Sequence, residues 1–114
     1  MNIIVTGGTG YIGSHTVVEL IRAGHRPIVI DNLSNSHRGV LDAISRITGT
    51  DVEFHLTDLC NKSETFRLIR EIEADAVIHF AAFKAVGESV CDPQKYFRNN
   101  IVSMVNLVDA VIER

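Results

Sequence analysis

Short runs of β-branched and aromatic residues alternate along this chain with longer stretches of helical spacing. Residues 2–6, 27–31, 52–56 and 76–81 form the short runs. They carry almost no polar alternation, so they read as strands buried on both faces. Four helical stretches lie between and after them. The first, 11–23, places Val17, Leu20 and Ile21 on one face and stops at Gly24; the second spaces Leu41, Ile44 and Ile47 three apart and stops at Gly49. A glycine just past the last periodic residue is an ordinary helix stop. The third carries Phe66, Ile69 and Ile72, and the fourth, 93–114, is the longest and most apolar.

In that last stretch Ile101, Met104, Val105, Val108, Val111 and Ile112 line one face, with Val102 and Leu107 off the stripe. A helix lying on a single sheet keeps its opposite face polar, so this width predicts a second contact. Either the rest of a larger domain or a second copy of the chain supplies it.

Strand and helix alternating with short connections require parallel strands, right-handed crossovers and helices on both sheet faces. The expected fold is α/β, a doubly wound parallel sheet with four strands and four helices. Arg114 ends a helix at the point where the pattern next calls for a fifth strand, so the expectation for 1–114 is one part of a longer sheet.

Thr6-Gly7-Gly8-Thr9-Gly10-Tyr11-Ile12-Gly13 joins the first strand to the first helix. Gly7 suits the tight turn, Gly10 lets backbone approach a pyrophosphate, and Gly13 lets the helix sit close to the strand. The positive end of the helix and its free amides then hold the anion. A phosphate-loop reading of Gly8 and Gly13 fails, because Ser14 and His15 follow and the required lysine is absent. Placed on the sheet, the glycine turn makes the fold Rossmann-type, with strand order 3-2-1-4 and a ligand crevice between strands one and four.

Asp31 ends the second strand, 18 residues after Gly13, where its carboxylate can accept both hydroxyls of an adenosine ribose. The same charge repels a 2′-phosphate, and Asn32 and Leu33 follow it where an arginine would accommodate one. NAD is expected over NADP, with Arg38 the one nearby cation able to turn toward a phosphate. Asp58, beside Leu59 at the end of the third strand, either meets the adenine edge or, with Thr57, caps the next helix. Phe80-Ala81-Ala82-Phe83-Lys84 follows the fourth strand, its small residues letting a ligand lie against backbone and Lys84 offering a cation. Asn99 and Asn100 suit either a ribose contact or a first helical turn. The five histidines form no HxxxH or HExxH pair, which argues against a metal; His55 and His79 read as packed within strands.

Composition narrows the class without changing this picture. The 114 residues allow one core, and 46% apolar residues with 22% charged ones exclude a disordered, collagenous or coiled-coil chain. The net charge of −3 comes without a basic run, so neither nucleic acid nor a membrane surface is an expected partner. No apolar run approaches the roughly 20 residues of a span. The start lacks a secretory signal, and Cys60 and Cys91 have no zinc-type or CxxC spacing; both are expected as reduced thiols in a cytoplasmic protein.

TGGTGYIGSH at the first turn, DNLSNS over 31–36, Asp58-Leu59, HFAAFKAVGES over 79–89 and Asn99-Asn100 together resemble the extended short-chain dehydrogenase/reductases, and among them the UDP-glucose 4-epimerase family. The resemblance runs in register across the whole chain, with Phe83 standing where an aliphatic residue is expected. It implies that Gly7, Gly10, Tyr11, Ile12 and Gly13 meet the NAD pyrophosphate. Asp31, Asn32, Leu33, Ser34, Asn35 and Ser36 then meet the adenosine ribose and Asp58 and Leu59 the adenine; Phe80, Ala81, Ala82, Phe83, Lys84 and Asn99 line the rest. It further implies a UDP-sugar substrate, a 4-keto intermediate, and a homodimer made through the 93–114 helix. The family's base is a Tyr with a Lys four positions on; here His15 follows Tyr11 and Asn100 follows Tyr96 at that distance, so no such pair exists in the chain. The chain taken alone is therefore expected to hold cofactor without catalysing epimerisation. A noncatalytic dinucleotide-binding module, and the cofactor part of another nucleotide-sugar epimerase or dehydratase, are the alternatives.

Overall fold

A computed structural model describes residues 1–83 and 85–114; Lys84 lies outside the described residues. The elements are β1 (Asn2–Thr6), α1 (Tyr11–Arg22), β2 (Arg26–Asp31), α2 (Gly39–Thr48), β3 (Glu53–Leu56), α3 (Lys62–Glu71), β4 (Ala76–His79), α4 (Val86–Cys91), α5 (Pro93–Phe97), a π turn (Arg98–Val102) and α6 (Ser103–Ile112). The chain divides into two compact units, Met1–Leu56 with Ala74–Phe80, and Thr57–Glu73 with Ala81–Arg114.

The first unit is built on the sheet, whose strands run parallel in the order β3-β2-β1-β4. Alternation along the strands sorts the side chains. Ile3, Val5 and Val29 join Val17 of α1 and Ile44 of α2 in one buried cluster, while Ile4, Ile28 and Ile30 point to the other sheet face and are buried as well. Burial on both faces is why β1 and β2 read as unbroken apolar runs, whereas β3 and β4, at the two edges of these four strands, are only partly buried. Gly49 closes α2 in the left-handed conformation, with φ of 71°, as its position past the periodic residues predicts.

The expected strand over 76–81 stops at His79. Phe80 still donates its amide to Thr6 O (3.0 Å), while β1 turns away at Gly7, whose amide goes to Ile30 O of β2 instead.

In the second unit α3 packs against α6. Leu68 and Ile69 of α3 are buried, as are Ser103, Asn106, Leu107 and Ala110 of α6. The region expected as one helix over 93–114 is helical without a break from Pro93 to Ile112, with a π turn inside it, and is preceded by the short helix α4. Asp92 separates α4 from α5: the residue before a proline avoids helical backbone, and here it caps α5 by accepting the Lys95 amide (3.2 Å). Among the described residues no helix is long and apolar enough to cross a membrane.

Candidate functional site

The glycine turn grows directly out of β1. Gly7 adopts φ of 68°, donates its amide to Ile30 O (2.8 Å) and accepts the Gly10 amide (3.0 Å), so the turn is tied to β2 as it forms. Helix α1 then starts so close to the strand that a Cβ on Gly13 would fall 2.1 Å from Gly7 O. No side chain caps α1, and its first turn holds no acidic residue. By contrast α3 is capped from within the chain, Asn61 Oδ1 accepting the Glu64 amide (3.2 Å). The uncapped N-terminus of α1, framed by glycines, is a cradle of backbone N–H groups suited to an anion.

Asp31 stands beside this cradle. Its Oδ2 accepts the Thr9 amide (3.2 Å) and its Oδ1 accepts the Leu33 amide (2.9 Å). Leu33 takes φ of 60°, unusual for a residue with a side chain, and Ser34 donates its amide to Asn32 Oδ1 (3.0 Å). The Thr9 and Ser36 hydroxyls bond at 2.6 Å. Asn35 and the rings and chains of Tyr11 and Ile12 are exposed. The Arg38 guanidinium lies over the Phe54 ring, 4.9 Å from its centroid. At the switch point between β1 and β4, Thr6 Oγ1 and His79 Nδ1 bond at 2.6 Å, which packs His79 within the sheet as expected. His55 bonds Glu53 Oε1 through Nε2 (2.9 Å) at the β3 edge.

The remaining candidates belong to the second unit, apart from Phe80, which closes the first. Asp58 Oδ1 accepts the Cys60 amide (2.9 Å), and Asn61, not Asp58 or Thr57, caps α3. Leu59 is buried, and its carbonyl accepts both Asn106 Nδ2 (2.8 Å) and the Thr65 hydroxyl (3.2 Å). The segment after β4 is held by Asn100, whose Oδ1 accepts the Phe83 amide (2.8 Å) while its Nδ2 donates to Phe83 O (3.1 Å). Asn99 Nδ2 donates to Asn100 Oδ1 (3.0 Å), and both lie in the π turn. Phe83 is therefore held to the π turn through its own backbone. Lys84, the expected cation of this segment, lies outside the described residues.

Tyr96 does not have the setting of a general base. Burial pushes its phenol up, and so does its bond to Glu88 Oε2 (3.1 Å), to which the phenol donates. Lys95 pairs with Glu88 and lies 4.9 Å from the Phe83 ring centroid, so its charge is committed to those partners. Among the described residues no group of histidines, cysteines and carboxylates could hold a metal ion.

The family model described as GDP-mannose 4,6 dehydratase matches residues 4–114. The UDP-glucose 4-epimerase of Klebsiella pneumoniae is 44% identical, the match covering 97% of this chain and 80% of that protein. The chain belongs to this family, with UDP-glucose 4-epimerases among its relatives. The Bacillus subtilis UDP-glucose 4-epimerase is 49% identical over 97% of this chain and 33% of its own length. A crystal structure of UDP-glucose-4-epimerase from Stenotrophomonas maltophila, with bound NAD and formylated UDP-arabinopyranose, matches with a TM-score of 0.92 at 46% identity, covering 96% of this chain and 33% of that one. The chain spans about a third of the length of most of the curated relatives it matches.

Some residues of the candidate site carry no signal of their own in the sequence. Gly8 figures only in the failed phosphate-loop reading, yet a Cβ there would lie 2.7 Å from Val29 Cγ1, so the turn passes directly over β2. Thr9 stands inside the glycine motif, and Asn100 directly follows Asn99. The signal for Gly8 and Thr9 lay in the motif itself: both stand where the backbone crosses the second strand. Nothing in the local spacing signals the π turn that aims Asn100 at Phe83.

Proposed function

We propose that this chain is the NAD-binding part of a UDP-glucose 4-epimerase, interconverting UDP-galactose and UDP-glucose through a 4-keto sugar. The observation that carries the reading is the uncapped N-terminus of α1 with the Asp31 carboxylate tied to the same turn through Thr9. In that reading the backbone of Gly7, Gly10, Tyr11, Ile12 and Gly13 receives the pyrophosphate, and the 31–36 loop receives the adenosine ribose. The family resemblance adds Asp58 and Leu59 for the adenine, and Phe80, Ala81, Ala82, Phe83 and Asn99 for the remaining length. The cradle fits the group: the helix has no internal cap to displace, and Gly13 lets its amides stand against the strand.

When bound, NAD supplies hydride acceptance and return at sugar C4. This chain's residues bind and orient it, and Asp31 selects it over NADP by charge. The proton of the C4 hydroxyl needs a base that this chain does not carry, since it has no Tyr-x-x-x-Lys pair. Residues outside it supply that base and the UDP-sugar site. The exposed stripe of Met104, Val105, Val108, Val111 and Ile112 on and beside α6 fits a homodimer contact, and the free thiols of Cys60 and Cys91 fit the cytoplasm.

Calorimetric titration of the protein at its native length with NAD, NADP and, for Asp31→Ala, NAD again tests the reading. Saturable NAD binding, weak NADP binding and loss in the variant are expected. Equal affinity for both dinucleotides, or an Asp31→Ala protein that binds NAD as before, would overturn it. Turnover of UDP-galactose against other nucleotide sugars separates an epimerase from a dehydratase.

A further inference from the structure

We infer that Thr9 is a positioning residue whose hydroxyl, bonded to that of Ser36, clasps the ribose-facing loop onto the glycine turn; this rests on the cofactor reading above. Inside the 31–36 loop the bonds that shape the chain are short-range. Leu33 N reaches Asp31 Oδ1, and Ser34 N reaches Asn32 Oδ1, each two residues away. Such turns set local shape and leave the loop's placement against the anion cradle open.

Two bonds from Thr9 set that placement. Its amide holds Asp31 Oδ2 (3.2 Å) and its hydroxyl holds Ser36 Oγ (2.6 Å), so one residue between Gly8 and Gly10 grips both ends of the loop. Thr9 is 2% exposed. A valine has nearly the same shape, so packing alone does not call for a hydroxyl there. Burial instead makes the hydroxyl's partner matter, because an unpaired one in that setting is costly. Leu33 at φ of 60° adds a conformation that a free loop would relax, which the clasp helps to hold. A loop ordered before binding spares the ligand that ordering, and affinity rises accordingly.

The test uses Thr9→Val, Ser36→Ala, the double variant and Thr9→Ser in the native-length protein. Amide hydrogen exchange is followed without ligand, and NAD affinity by calorimetry. Faster exchange over 31–36 is expected in both single variants, with β1 and β2 keeping their protection. The Kd for NAD should rise about three- to tenfold in each, the worth of one net hydrogen bond, with little further rise in the double variant. Thr9→Ser should restore both readouts, which a mere packing role would not. Unchanged exchange over 31–36 in protein that binds NAD, or additive effects in the double variant, overturns the clasp alone. Failure of the unsubstituted protein to bind NAD overturns the cofactor reading and this inference with it. Ser36→Ala, at a half-buried loop position, keeps the test open should Thr9→Val fail to fold.

Discussion

Replacing Gly13 by alanine sets the sharpest demand on the turn. The added Cβ would lie 2.1 Å from Gly7 O, 2.9 Å from Gly7 C and 3.0 Å from Gly8 Cα. Non-bonded carbon contacts run at about 3.5–4.0 Å, so the start of α1 and the turn must separate by more than about 1 Å. The turn cannot yield cheaply, because Gly7 is bonded to Ile30 O and to the Gly10 amide. Overpacking against backbone belongs at the upper end of its range, about 3 kcal/mol, and a lost turn bond adds about 1 kcal/mol. Better helix propensity for alanine returns about 1 kcal/mol. The net is about 3 kcal/mol, or a Tm lower by roughly 10–20 °C.

Two controls separate this cause from glycine substitution in general. A Cβ on Gly24 meets nothing within 4 Å, so only its φ of 84° opposes alanine, at about 1–2 kcal/mol. At Gly8 the clash is with the side chain of Val29, so Val29→Ala should relieve part of the Gly8→Ala penalty. No side-chain truncation should relieve Gly13→Ala. Urea unfolding followed by circular dichroism measures each single variant, the Gly8→Ala/Val29→Ala double and the unsubstituted protein. Gly13→Ala matching Gly24→Ala within about 0.5 kcal/mol would show that α1 does not sit against the turn as described.

Leu107→Ala, on the buried side of α6 at 3% exposure, should cost about 2–5 kcal/mol in the same assay, whereas Val108→Ala, at 42%, should cost little and instead weaken any self-association read by sedimentation. Alkylation with a maleimide should label exposed Cys91 before Cys60, whose thiol is pushed up by burial and next by the Asp58 carboxylate; raising the pH should narrow the difference, as thiolate forms at Cys60. The Glu53 carboxylate is held low, first by its bond from His55 and also by Arg26. Its contribution is therefore full above the ordinary carboxylate range and lost as pH falls through the lowered native value. Both Glu53 and Arg26 are substantially exposed, so Glu53→Gln should remove at most about 1 kcal/mol at neutral pH and flatten the acid limb of the stability curve.

The parts of this molecule legible from sequence are those set by neighbours in sequence. The four strands, their order, the α1 and α2 stops at Gly24 and Gly49, and the glycine turn all rest on local spacing and turn chemistry. What was missed depends on contacts between distant residues. β4 ends where β1 turns away, which no feature of 76–81 announces. The short helix α4 shows only Val86, Val90 and Cys91 as apolar residues, too few for a periodic signal, although Asp92-Pro93 marks its end. At the site, the spacing of Asp31 from the glycines pointed to the cradle. The bond of Thr9 to Ser36 spans 27 positions and was not visible.

The last helix is the place where apolar patterning and burial part company. The stripe of Met104, Val105, Val108, Val111 and Ile112 lies exposed, while Ser103 and Asn106 turn inward with Leu107 and Ala110. A helix free to rotate would bury the stripe, since apolar area contributes about 25 cal/mol for each Å² removed from water. Asn106 opposes that rotation: its Nδ2 donates to Leu59 O (2.8 Å), and turning it away would leave buried polar groups unpaired. The Ser103 hydroxyl reaches Asn100 O (3.4 Å) in the π turn. That turn in turn carries the Asn100 clamp on Phe83, so rotating α6 would also disturb the segment that follows β4. The outward stripe is thus tied, through inward polar bonds, to the same π turn that positions a candidate stretch of the cofactor site. Exposing the stripe and ordering that stretch are then two effects of one helix orientation.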